Sequence, residues 1–144
     1  MRAAALWNLP LLTEDRGDGR DAALNPPGIR RHTVIGFRLR DGAFGIAVRE
    51  ACITSTRPDP GSARLILDNE KIIAPGGRSL TITPMKGGVM AVASGAFAVR
   101  HVRRMRFERA WGTYRLNIDG KPAHDFRAPL RAEALPGRLR LLHP

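Results

Sequence analysis

The chain of 144 residues holds one cysteine, one tyrosine, two tryptophans and three lysines. Each shortage removes a class of answer. Cys52, alone, cannot close an intramolecular disulfide, and no Cys/His spacing of the zinc type occurs. The fold is therefore expected to hold by packing alone, with no metal and no other cofactor. Cys52 has no His or Asn context that would mark a nucleophile, and it reads as a small buried hydrophobe on a strand. No run approaches the roughly 18 apolar residues of a membrane-spanning helix. The stretch MRAAALWNLPLL is short, is interrupted by Pro10 and runs into the acidic TEDRGDGRD without a small-residue cleavage site. It reads as a retained segment, and the expected location is cytoplasmic or particle-associated.

Catalytic equipment is equally sparse. His32, His101, His124 and His143 fall on separate elements. His124 and Asp125 are adjacent, but neighbours on a strand point to opposite faces and cannot by themselves form an acid–base pair. No GxSxG, HExxH or DxDxDG sequence is present. APGGRS (residues 74–79) lacks the GxxxxGK[ST] arrangement of a nucleotide loop and reads as a glycine-rich turn rather than an anion-holding nest beside Arg78. No catalytic residue is assigned, and the expectation is a protein that is not an enzyme.

Aromatic residues make up only 6% of the chain. Single-strand nucleic-acid recognition combines cations with exposed rings. Trp111, Tyr114 and Phe126 are the available platforms, and core packing accounts for each more simply. No RRM, KH or zinc-finger signature is visible. A carbohydrate-binding sandwich would need a planar patch of Trp and Tyr, for which only Trp7, Trp111 and Tyr114 are at hand.

What the chain does have is glycine, proline and positive charge. Its 15 glycines and 11 prolines favour many turns. The formal net charge is +11, with 21 arginines; residues 1–28 hold three arginines against four acids, so the remainder carries +12. A net positive field of this size favours polyanionic partners.

From residue 29 the pattern has period two. A two-residue turn at Asp41-Gly42 would pair Leu39 with Phe44, Phe37 with Ile46 and Ile35 with Val48, all six facing a core, and leave Arg38, Arg40 and Arg49 on the opposite side. Further hairpins are expected around Asp68-Asn69, Gly87-Gly88 and Asp119-Gly120. Pro84 inside its run suggests an edge or a bulge, and RLRLLHP a last strand. AFAVRHVRRMRFERAWG (96–112) reads as strand, broken near Arg103. Its arginines, Arg100, Arg103, Arg104, Arg106 and Arg109, form the densest cationic run, although a strand alternates sides and cannot show all five to one partner.

These features predict an all-β domain over 29–144, built of antiparallel hairpins as a β-sandwich or barrel, behind an extended N-terminal arm over 1–28. Trp7 and Leu9 are the arm's docking residues, with packing onto the same domain favoured over a grip on a neighbour. The functional expectation is a non-catalytic structural or adaptor subunit of a larger protein assembly, homo- or hetero-oligomeric, of the kind found in virion-type particles. The alternative is a backbone-directed nucleic-acid-binding module using the arginines named above, and neither reading involves membrane insertion.

Overall fold

The computed structural model describes residues 10–12, 28–56, 62–74, 79–95, 97–109 and 112–143, and among these it contains strands and turns but no helix. In chain order the strands are β1 (Pro10–Leu12), β2 (Gly28–Leu39), β3 (Phe44–Ala47), β4 (Ala51–Ser55), β5 (Ala63–Leu67), β6 (Glu70–Ala74) and β7 (Leu80–Met85). They continue as β8 (Val89–Ser94), β9 (Phe97–Val102), β10 (Arg104–Arg109), β11 (Tyr114–Ile118), β12 (Lys121–Phe126) and β13 (Leu130–His143). Two sheets pack together. The first runs β3, β2, β13, β10, β5, β6, with β1 added beside β13; the second runs β12, β11, β4, β7, β8, β9. The expected all-β antiparallel architecture is a sandwich.

Alternation builds it. Ile35, Phe37, Leu65, Met105, Phe107, Leu130 and Ala132 face inward from the first sheet, and Ile53, Ile82, Met90, Val92, Leu116 and Ile118 from the second, all buried in one cluster. Burying each large side chain contributes roughly 1.5–3 kcal/mol against the entropy of ordering the chain. Phe107 crosses between the layers. Its ring meets Tyr114 edge-on at 4.9 Å and Phe126 at 6.0 Å between centroids.

The first hairpin corrects the expected register by one residue. Arg38 pairs with Phe44, Phe37 with Gly45, Gly36 with Ile46 and Ile35 with Ala47. The reason lies in the turn. Gly42 takes φ +85°, its N–H donates to Leu39 O at 3.1 Å, and Leu39 N–H donates to Ala43 O at 2.9 Å, so the loop holds three residues rather than two. One added residue flips the whole of β3. Gly45 and Ala47 now face the core, where a Cβ on Gly45 would come within 2.9 Å of Ile118 Cδ1. Phe44 and Ile46 face outward instead. Ile46 remains buried there, in a separate small cluster with Val34, flanked by Val48 and Leu135.

The other turns sit where expected. Leu67 pairs with Glu70 across Asp68-Asn69, and Ile118 with Lys121 across Asp119-Gly120. Met85 pairs with Val89, so the Gly87-Gly88 turn also includes Lys86. Pro84 pairs only with Met90 of β8, because β4 ends its pairing with β7 at Ile82; it occupies a local edge. Of the 96–112 segment, residues 97–109 form two strands separated by a bend at Arg103, β9 in the second sheet and β10 in the first.

Of the N-terminal arm, Pro10–Leu12 is described, and it pairs in parallel with Arg140–Leu142 of the chain's own last strand. Trp7, Leu9, Arg78 and Trp111 lie outside the described residues.

Candidate interaction face

At two of the places where the chain passes from one sheet to the other, β3 to β4 and β9 to β10, the same device holds the corner. After β3 the backbone bends through Val48 and Arg49 to enter β4 in the second sheet. There the amides of Val48, Arg49 and Glu50 donate to the Asp119 carboxylate at 3.2, 2.7 and 3.1 Å. Between β9 and β10 the amides of Arg103 and Arg104 both donate to Asp68 Oδ1 at 3.0 Å. Asp68 and Asp119 are the two described non-glycine residues with positive φ, at 53° and 51°. Each is the first residue of a hairpin turn and reaches across to orphan N–H groups of a different segment. Aspartate suits the position twice, since it tolerates the left-handed region and supplies a charged acceptor.

The outward face of the first sheet carries the charge. Cross-strand pairing sets one unbroken row over all six strands: Phe44, Arg38, Arg131, Arg106, Ile66 and Lys71. Three arginines on β2, β13 and β10 are therefore direct neighbours. Like charges placed opposite each other in a sheet destabilise it, so their partners matter. Glu108 takes Arg64 at 2.7 Å and Arg106 at 3.9 Å, and Glu133 takes Arg104 at 3.7 Å. Among the described residues Arg38 and Arg131 have no ion pair or side-chain hydrogen bond, and Arg106 Nε is buried without an acceptor. A shallow groove of about 440 Å³ includes Arg104, Arg106 and Ile66 in its wall, and a second of about 240 Å³ includes Arg38 and Phe44. Both are lined by Arg131, Ala132 and Glu133.

The opposite outward face is different. On the central strands of the second sheet it presents Cys52 and Thr54, Thr81 and Thr83, Ala91 and Ala93, all half-buried and uncharged. Its charge lies at the margin, where Arg115 Nε donates to Asp125 Oδ1 at 3.0 Å. That hydrogen bond holds the Asp125 carboxyl below its ordinary range and raises Arg115. Burial pushes the Cys52 thiol up, a hydrogen bond with Thr81 pulls it down, and Glu50 raises it further, for a net rise. Since the thiolate is the reactive form, Cys52 is expected to be alkylated by iodoacetamide at pH 8 more slowly in the folded protein than in denaturant. Equal rates, read by intact mass, would contradict this placement.

The structure thus regroups the arginines chosen from sequence. Arg38, Arg40 and Arg49 do not form one cluster: Arg40 is at the hairpin tip, Arg38 lies within the sheet face, and Arg49 is beyond the far end of β3. The 100–109 run is divided as well. Arg100 on β9 bonds Glu70 at 3.3 Å, Arg103 sits at the bend, Arg104 and Arg106 join the first sheet's outer face, and the backbone of Arg109 pairs with Arg64. Arg131 was not singled out, although its signal was present. In LRAEA, Leu130, Ala132 and Ala134 alternate with Arg131 and Glu133 as a half-buried strand requires.

Among the described residues no group of three or more His, Cys, Asp or Glu could hold a metal ion. No described helix is long and apolar enough to cross a membrane. No protein family matches the chain, and no curated protein matches it. Among solved structures the fold is similar to that of yeast NADH kinase, crystallised as a complex with NADH, at 9% identity and a TM-score of 0.57. The likeness covers 82% of this chain and 44% of that one, so the chain spans less than half the length of the kinase.

Proposed function

We propose that the chain is a non-catalytic β-sandwich component of a larger, kinase-like protein assembly, supplying contact and orientation while a second protein part carries the nucleotide chemistry. The observation that supports this reading is the asymmetry of the likeness: nearly the whole sandwich finds a counterpart in NADH kinase, and more than half of that kinase has none here. Whether the second part belongs to the same polypeptide or to another does not alter the reading. The two unlike outer faces agree with it, because an uncharged face of threonine, alanine and cysteine suits burial against protein, whereas a cationic one suits an anionic partner.

The test uses the chain by itself. Equilibrium dialysis against ATP with Mg²⁺ at physiological salt is expected to show no saturable site, and incubation with ATP and NADH no formation of NADPH. Tight, salt-insensitive ATP binding or NADPH production by the chain alone would overturn the proposal, because the chemistry would then reside in the sandwich.

A further inference from the structure

We infer that the outer face of the first sheet binds the phosphate backbone of single-stranded nucleic acid without regard to sequence, with Arg38, Arg131 and Arg106 as the phosphate contacts and Phe44 as a platform for one base. This rests on the arginine row and goes beyond the assembly reading.

The first argument is energetic. Three guanidinium groups stand opposite one another on consecutive strands, an arrangement that costs stability in the free sheet. One acid reaches the row, Glu108 at 3.9 Å from Arg106. The remaining charge on Arg38 and Arg131 has no counter-ion among the described residues. Anions bound along the row would relieve the repulsion.

Geometry then selects among polyanions. Strands step by about 4.8 Å, so three arginines spread over about 10 Å, a span for consecutive phosphates rather than one. Arginine forms bidentate contacts with phosphate oxygens. Phe44, paired with Arg38 at the edge of the row, is 49% exposed. An acidic peptide would leave that ring unused, while a base can stack on it. A lipid bilayer is planar, but six strands twisting by about 20–25° at each step turn the face through roughly 100°. A flexible single strand can follow such a surface.

The experiment measures fluorescence anisotropy of a labelled oligo(dT) 20-mer titrated with the full chain at several salt concentrations. Three contacts predict a slope of log K against log salt near about −2, or about a twentyfold loss of affinity between 50 and 200 mM. Arg38→Gln and Arg131→Gln should each make the slope shallower by about 0.7. Arg115→Gln removes the same charge from the other sheet and should leave the slope unchanged. Phe44→Ala should weaken binding about fivefold or more at constant slope. All four positions are exposed, and circular dichroism checks that each variant folds. If Arg38→Gln and Arg131→Gln behave like Arg115→Gln, the proposal is wrong. Arg131-dependent binding to phosphatidylserine vesicles with no oligonucleotide binding would likewise overturn it in favour of a lipid surface.

Discussion

Replacing Asp119 with alanine is expected to lower the unfolding free energy by about 2–4 kcal/mol, read as a fall in the urea midpoint at constant m value. Two losses combine. The carboxylate accepts three backbone N–H groups at the corner leading from β3 to β4, and a charged acceptor contributes more per bond than a neutral one. Arg49 and Glu50 are exposed, so water replaces part of what is lost, and this keeps the figure below the sum for three buried donors. The second loss is conformational: φ of 51° costs alanine about 1–2 kcal/mol. Asp119→Gly separates the two, since it relieves the backbone while still deleting the acceptor. Asp119→Asn tolerates the φ and keeps one neutral acceptor, so it should fall between wild type and alanine. A midpoint for Asp119→Ala within experimental error of wild type would show that the corner does not depend on the carboxylate.

Phe107→Ala should be more damaging, at about 3–5 kcal/mol. The side chain is 3% exposed, belongs to the first sheet, and places its ring edge-on against Tyr114 and near Phe126 of the second. Truncation removes the transfer free energy of a large ring and leaves a void that two sheets, each tied by its own hydrogen-bond ladders, close only partly. The aromatic pairing adds about 0.5–1.5 kcal/mol beyond area. Phe107→Leu refills most of the volume and should cost much less. Thermal and chemical denaturation of the two variants give the comparison. Similar losses for both would locate the stabilisation in ring geometry rather than in volume, and no loss for either would remove Phe107 from the core.

Local chemistry explains how much of this was legible in the sequence. Alternation is plain in ARLIL and YRLNI, whose first, third and fifth residues are buried, because those strands each have one buried side. Asp119-Gly120 closed a two-residue turn with both residues at positive φ, as a type I′ turn requires. Asp41-Gly42 looks the same in sequence but closes a longer loop. The difference arises from tertiary contact: Gly45 lies against Ile118 and leaves no room for a large inward side chain, so Phe44 and Ile46 go outward. The break at Arg103 was readable from an interrupted stripe, yet nothing local indicates that the two halves enter different sheets. The arginine row was hidden for the same reason. Arg38, Arg131 and Arg106 are far apart in the chain and become neighbours only through the order of β2, β13 and β10, which spacing does not encode.

The contrast between the two outer faces has a kinetic side. Among the described residues, Arg38, Arg131 and Arg106 gather on one outer face while the centre of the other holds small neutral side chains, so the two layers present unequal charge. An approaching anionic body exerts a torque on such a molecule, turning the arginine layer toward it before contact and shortening the rotational search that usually limits association. Dissolved ions weaken that torque over about 10 Å at 0.1 M, so alignment of this kind is strong in dilute buffer and fades in brine.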